Sequence, residues 1–391
     1  MEPRDILTRL AVPRPNHSPA VDRTAAYIKE LLSSWGLVHT QQVFPLHPHK
    51  MFLTGLAVLL LAAGFFVAVL ATRPALSLAA ALSIPILLIL EVELFVPLVS
   101  RLVTRTGENI IASFTVPEAA RELLFSAHYD SKTDFFDHVQ RARIYRFIPA
   151  VLGLGLFICL WLFLAAQYQG LAAEWLVALA RILAAATLVF WGLIFLAFGG
   201  YVFLPAARQS PGAVDNATAV VSLLALARDI KENKVRLGRS NVTLIFFGGE
   251  EVGPQGARCY VRQRFGRDEP RGPVSLVNLE LAAQNGAMIH WRRSGVFIKY
   301  RPADPGLIQR LNQACLEITG AGLETEDKIT DDSLHFLAAG VPAVTIGHAG
   351  RPGLGPAGFH SVRDNLDRVN LDNLRAMIAV LERYIEDYNR S

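Results

Sequence analysis

Four stretches of the chain carry almost no polar residue. Residues 51–71, 147–166 and 182–205 contain no charged side chain, and 74–99 holds only Glu91 and Glu93 near its end. Each reaches the roughly 20 residues a helix needs to cross a bilayer. The pattern predicts four spans in two hairpins, the first joined through Thr72-Arg73-Pro74, the second through a loop about 167–180. Elsewhere the period changes. Residues 24–35 place Ala26, Ile28, Leu31 and Leu32 on one side of an amphipathic helix, and 218–231 do the same with Val220, Leu223, Leu224 and Leu226. Short apolar runs at 109–114, 122–127, 242–247, 274–279 and 343–346 read as strands, and 371–388 as a closing helix. The unbroken run 242–247 suits a central strand covered on both faces.

Alternating strands and helices predict an α/β fold, a mainly parallel sheet with helices on both faces. One globular domain is therefore expected from 1–48, 105–145 and 206–391, interrupted by hairpins at 51–104 and 146–205. An even number of crossings returns every globular segment to the same side of the membrane.

The 391 residues are 52% hydrophobic, and the excess is local to those four runs. Near the span ends, Lys50, Arg101, Arg105, Lys132, Arg141, Arg143, Arg146 and Arg208 lie on the globular side, against Arg73 and Arg181 on the other. This asymmetry predicts a globular domain in the cytoplasm, and the start of the chain, without a signal peptide's apolar core, agrees. The net charge of +4 comes with basic residues that flank the apolar runs, which suits anionic headgroups and argues against nucleic acid. Three cysteines, with Cys159 inside a predicted span, make no disulfide framework and read as reduced thiols. Glu91 and Glu93 read as interfacial residues facing headgroups or the protein. Nothing in the sequence fixes an oligomeric state.

The candidate chemistry sits at strand ends and Gly-rich turns. His128 and Asp130 lie in Ser-Ala-His-Tyr-Asp-Ser, Asp215 in Gly-Ala-Val-Asp-Asn-Ala, Glu250 and Glu251 in Phe-Phe-Gly-Gly-Glu-Glu, Glu280 in Asn-Leu-Glu, and His360 in Gly-Phe-His-Ser. Imidazole and carboxylate without cysteine suit a hydrolytic zinc site. Five potential ligands exceed one tetrahedral ion but fit two ions sharing a carboxylate.

In this order the motifs resemble the family-28 zinc metallopeptidases, the group of aminopeptidases and glutamate carboxypeptidase. Thr330-Asp331-Asp332-Ser333, followed by Phe336 and Gly340-Val341-Pro342-Ala343, is similar to the family's segment before its final strand. The resemblance implies the zinc exopeptidase fold and two Zn2+. His128 and Glu280 would hold one ion, Glu251 and His360 the other, with Asp215 bridging. It also implies that Glu250 is the general base, that Asp130 orients His128, and that the Asp215–Asn216 peptide is cis.

Three departures stand out. Many relatives carry Asp where Glu280 stands, some carry Tyr where Phe359 stands, and 84 residues (131–214) separate Asp130 from Asp215 here. Asn278-Leu279-Glu280-Leu281-Ala282-Ala283 resembles the endoplasmic-reticulum metallopeptidase branch. The expected function is a membrane-embedded exopeptidase, an aminopeptidase acting on peptides or acyl-amino acids. The alternatives are a glutaminyl-cyclase-like acyltransferase with one zinc and a non-catalytic receptor or scaffold.

Overall fold

The computed structural model describes residues 2–136, 138–167, 171–266, 273–350 and 357–388. The chain divides into two compact units. One comprises 1–48, 105–133 and 207–391, and carries the sheet; the other comprises 49–104 and 134–206, and is helical.

The sheet has nine strands, β1 (His39–Leu46), β2 (Arg105–Phe114), β3 (Arg121–His128), β4 (Ser240–Phe247), β5 (Val274–Leu279), β6 (Met288–Gly295), β7 (Tyr300–Pro302), β8 (Glu324–Ile329) and β9 (Ala343–His348). Their order is β1-β2-β4-β3-β5-β9-β6-β7, with β8 beside β6. The central strands β4, β3, β5 and β9 are mutually parallel, and antiparallel pairs border them.

The central strands bury both faces because their side chains alternate between two cores. Val242, Leu244 and Phe246 of β4 join Leu123 and Phe125 of β3 under the helices Pro19–Ser34, Thr218–Lys231 and Leu371–Tyr388. Ile245 and Phe247, with Leu124 and Leu276, face the other way, toward Tyr260 and Phe265 of Gln255–Phe265 and Phe336 of Ser333–Ala338. The expected α/β fold is present. The helix anticipated at 24–35 starts earlier, because Ser18 caps it: the hydroxyl accepts from Ala20 N, with Pro19 in the first turn.

The helical unit contains Lys50–Leu70, Pro74–Leu88, Ile148–Ala165 and Leu171–Gly199. Four helical segments, Lys50–Leu70, Pro74–Glu93, Val139–Ala165 and Glu174–Phe203, are long and apolar enough to cross a membrane. Phe65, Val69, Ala81, Ile158, Leu162 and Ala184 form a core among them. Leu60, Val67, Leu76, Ile182 and Val189 stay more than half exposed, the outward apolar surface expected of helices solvated by lipid.

Three features of this unit differ from the sequence expectation. The helix expected from 182 starts at Leu171, so most of the anticipated 167–180 loop is helical. Arg181 then lies inside the helix and donates from Nη2 to the Leu70 carbonyl at 3.0 Å, which satisfies a helix C-terminus. Residues 134–145 cluster with this unit, where the Tyr145 ring meets Phe198 edge-on at 5.6 Å. Glu91 is buried and so faces the protein. Its carboxylate accepts from the backbone amides of Leu98 (2.6 Å), Val99 (2.5 Å) and Ser100 (3.0 Å), and from Ser100 Oγ. It closes the chain where the helix ends in the π turn Ile89–Glu93, short of the anticipated 99.

Candidate metal centre

Parallel strands deliver their C-terminal residues to one edge of a sheet, and that edge is where this chain collects its acids and imidazoles. His128 is the last residue of β3 and pairs in register with Phe247, the last of β4. Gly248 and Gly249 then turn the chain and present Glu250 and Glu251. A Cβ on Gly248 would lie 2.7 Å from both the Glu108 carbonyl and the Tyr129 hydroxyl, and Gly249 has φ +76°. Only glycine fits there. Glu280 directly follows β5. Asp215 lies in the turn before the helix Thr218–Lys231, and the Asp215–Asn216 peptide is cis. His360 closes the short strand Ala357–His360 with φ +56°.

The structure brings all of these side chains together. His128 Nε2 lies 3.3 Å from Asp215 Oδ1 and 3.4 Å from Glu280 Oε2. His360 Nε2 lies 3.1 Å from Asp215 Oδ2 and 3.2 Å from Glu251 Oε2. The two oxygens of Asp215 thus face two different groups, His128 with Glu280 and His360 with Glu251, each spaced to hold a metal ion. A third possible ligand group joins Glu250 to His128 and Glu251, with Glu250 Oε2 4.0 Å from His128 Nε2.

Asp130 does more than face His128. Its Oδ1 is 3.5 Å from His128 Nδ1, a longer approach than the 3.2 Å from that nitrogen to Asp130's own carbonyl. Its shorter bonds hold the Gly-Gly-Glu-Glu turn and the N-terminal segment: Oδ2 accepts from Glu251 N at 3.0 Å and from Asn16 Nδ2 at 2.6 Å, and Oδ1 from Glu250 N at 3.3 Å.

Charge and satisfaction both fit a divalent metal. Among the described residues, His128 Nε2, Glu251 Oε1 and Glu280 Oε1 are buried without a hydrogen-bond partner, which costs free energy unless something else binds them. Burial pushes the carboxyls of Glu250 and Asp332 well up and that of Glu280 to about 7, with neighbouring acids adding to the shift. Burial opposes ionisation of Asp215 as well, yet the adjacent imidazoles of His128 and His360 hold its carboxyl well below the usual range. Burial likewise works against charging His128, but Glu280, Asp130 and Asp215 outweigh it and raise its pKa well above normal. So many buried acids around two imidazoles are the charge pattern a cation neutralises.

Four further residues, none of them among the candidate site residues read from the sequence, shape this edge. Asn16 braces Asp130, as described. Asp364 accepts from Val214 N at 2.8 Å and Asp215 N at 3.2 Å. Asp332 is fully buried, and among the described residues neither carboxylate oxygen has a hydrogen-bond partner. Arg14 is fully buried and donates to five backbone carbonyls. Of the four, only Asp332 lay in a motif the sequence offered, Thr330-Asp331-Asp332-Ser333.

Residues 203–385 match peptidase family M28, a range that includes Asp215, Glu250, Glu251, Glu280 and His360. No curated protein matches the chain. Among solved structures, glutaminyl cyclase from Fimbriiglobus ruber is similar at 13% identity and TM-score 0.55, over 98% of this chain and 95% of that one. A leucine aminopeptidase precursor from Bacteroides thetaiotaomicron is similar at 13% identity and TM-score 0.54, over 99% and 97%. A Zn-dependent exopeptidase from Parabacteroides distasonis gives 13% identity and TM-score 0.54, over 98% and 96%. At such identity the likeness establishes the fold.

Proposed function

This chain carries a peptidase family M28 domain, and from that premise we propose that it is a membrane-embedded exopeptidase with two zinc ions, acting as an aminopeptidase. The observation that carries the reading is the divided carboxylate of Asp215, with one oxygen toward His128 and Glu280 and the other toward His360 and Glu251. Those five side chains would hold the ions, and zinc bound there supplies Lewis acidity to the scissile carbonyl and acidifies water.

Glu250 is the proton carrier. It stands beside His128 of one group and Glu251 of the other, and retains some exposure. Its carboxylate takes the proton from the attacking water and passes it to the leaving amine. Asp130 fixes where Glu250 and Glu251 stand by accepting from both backbone amides.

Membrane embedding rests on the four apolar helices and on where the chain leaves the sheet unit. β1 and β2 pair Leu46 with Arg105, so the first insertion departs and returns side by side. Arg105 Nη1 donates to the Asn16 carbonyl at 2.8 Å, and Asn16 in turn bonds Asp130. The second insertion leaves after Thr133, whose Oγ1 accepts from Ser210 N at 2.9 Å. Substrates are peptides or acyl-amino acids met near the bilayer surface, on the cytoplasmic side given the basic residues about the span ends.

A second reading, a glutaminyl-cyclase-like acyltransferase with one zinc, draws on the inequality of the two groups. Asn216 Nδ2 already occupies Glu280 Oε2 at 3.0 Å, which weakens the His128 group as a ligand set. Hydrolysis of a panel of amino-acid amides, acyl dipeptides and N-terminal glutaminyl peptides by the zinc-loaded full-length protein separates the two. Release of free amino acids supports the peptidase. Cyclisation of glutaminyl peptides without hydrolysis of the rest contradicts it.

A further inference from the structure

Arg14 is among the largest side chains fully buried in this protein. It follows the first helix, Pro3–Leu10, and among the described residues makes no hydrogen bond to a carboxylate. Its guanidinium ties its own segment to two remote parts of the chain. Nη1 donates to Leu10 O (2.7 Å), Val12 O (3.1 Å) and Pro211 O (2.6 Å), Nη2 to Gly212 O (2.8 Å) and Nε to Tyr129 O (2.6 Å). The backbone is tied as well: Arg14 N donates to Ser131 Oγ at 3.0 Å, and Ser131 N to Arg14 O at 3.2 Å. Tyr129 is the neighbour of His128, and Gly212 lies three residues before Asp215. A planar, fixed fork therefore spans the gap between the His128 loop and the Asp215 turn.

The Asp215 turn is also held from its other side, by different means. Asp364 accepts from Val214 N and Asp215 N, and its carbonyl accepts from Ala213 N at 3.1 Å. Asp364 lies in the loop that follows His360. One brace thus relates Asp215 to His128, and the other relates it to His360.

We propose that Arg14 is a positioning residue for the His128, Asp215 and Glu280 group, fixing the spacing between the loop after His128 and the turn before Asp215. It thereby sets the zinc affinity of that group, while Asp364 sets that of the Asp215, Glu251 and His360 group. The proposal rests on the two-zinc reading. Ligand-supporting residues of this kind change metal affinity about 10–100-fold. Lysine keeps the charge of Arg14 but cannot fork across five carbonyls.

The test is titration of zinc, and separately of cobalt followed by its visible absorption, into full-length metal-free protein in detergent against a competing chelator. Arg14→Lys should weaken one of two zinc affinities 10–100-fold and leave the other within threefold. Asp364→Asn should weaken the other one. Leu381→Ala, which removes a buried side chain from Leu371–Tyr388, controls for loss of stability alone and should leave both affinities within threefold below its melting temperature. Should Arg14→Lys fail to fold, Gly212→Ala serves instead. Its Cβ would sit 2.5 Å from the Asp215 carbonyl and 3.1 Å from Arg14 Nη1, so it displaces the same turn and should weaken the same affinity. A wild-type protein with two zinc affinities, both of which Arg14→Lys leaves unchanged or lowers alike, overturns the proposal. A wild-type protein that takes up fewer than two ions overturns the two-zinc reading beneath it.

Discussion

At the scale of single residues, Glu250 and His348 give the sharpest expectations. Glu250→Gln should lower kcat about 10²–10⁴-fold with zinc content unchanged, because an amide cannot accept the proton. Zinc analysis beside the kinetics checks this, and loss of metal would make Glu250 a ligand. His348 is buried, and its Nδ1 accepts from Ala283 N at 3.1 Å, which requires the neutral ring. Burial lowers its pKa to about 4. The folded value lies below the unfolded one of about 6.5, so its contribution is complete above pH 6.5 and fades as pH falls toward 4, by at most about 3 kcal/mol. Denaturation of wild type and His348→Asn across that window should show the wild type losing more stability; parallel curves would contradict it. The seven acids and imidazoles of the site were legible because each follows a strand or opens a turn in a recognisable motif. Arg14 and Asn16 were not, since their importance lies in which carbonyl or carboxylate of a distant segment they meet. Asp130 was half legible, its place beside His128 being visible and its bonds to the Glu250 and Glu251 amides not.

At the scale of elements, strands with a buried apolar run announced themselves and polar or edge strands did not. β4 is continuous in sequence and buried along its length. By contrast β8, Glu-Thr-Glu-Asp-Lys-Ile, is exposed almost throughout and owes its place to the ladder with β6. β1 carries Pro45 and lies at the edge, where a missing amide is tolerated. Glu91 shows how an element boundary hides. A carboxylate in an apolar run signals the surface, yet here it folds back to satisfy the amides that follow the helix. Glu91→Ala would leave those amides unpaired and should destabilise the first hairpin by about 2–3 kcal/mol. Thermal unfolding in detergent measures this, and an unchanged midpoint would show that water or lipid replaces the carboxylate. Within the sheet unit, Leu244→Ala in β4 should cost about 2–5 kcal/mol, read from the same unfolding curves.

At the scale of the whole molecule, two long apolar insertions interrupt a fold that remains intact around them. The sequence foretold this, because the motifs keep their order while the spacing between Asp130 and Asp215 expands. The fold tolerates both insertions because each leaves and returns at adjacent points of the sheet unit, Leu46 beside Arg105 and Thr133 beside Ser210. Zinc should stabilise the folded chain by mass action, about 2.7 kcal/mol at a free concentration 100 times its Kd. The central claim is that one carboxylate, Asp215, joins two zinc positions into a hydrolytic site. Its most direct test is to titrate zinc into metal-free, full-length protein while following both bound metal and hydrolysis of an amino-acid amide. The account predicts that uptake reaches two ions per chain, that hydrolysis requires them, and that Asp215→Asn loses both. Uptake that stops at one ion with full hydrolytic activity, or an Asp215→Asn protein that still binds two, would contradict it.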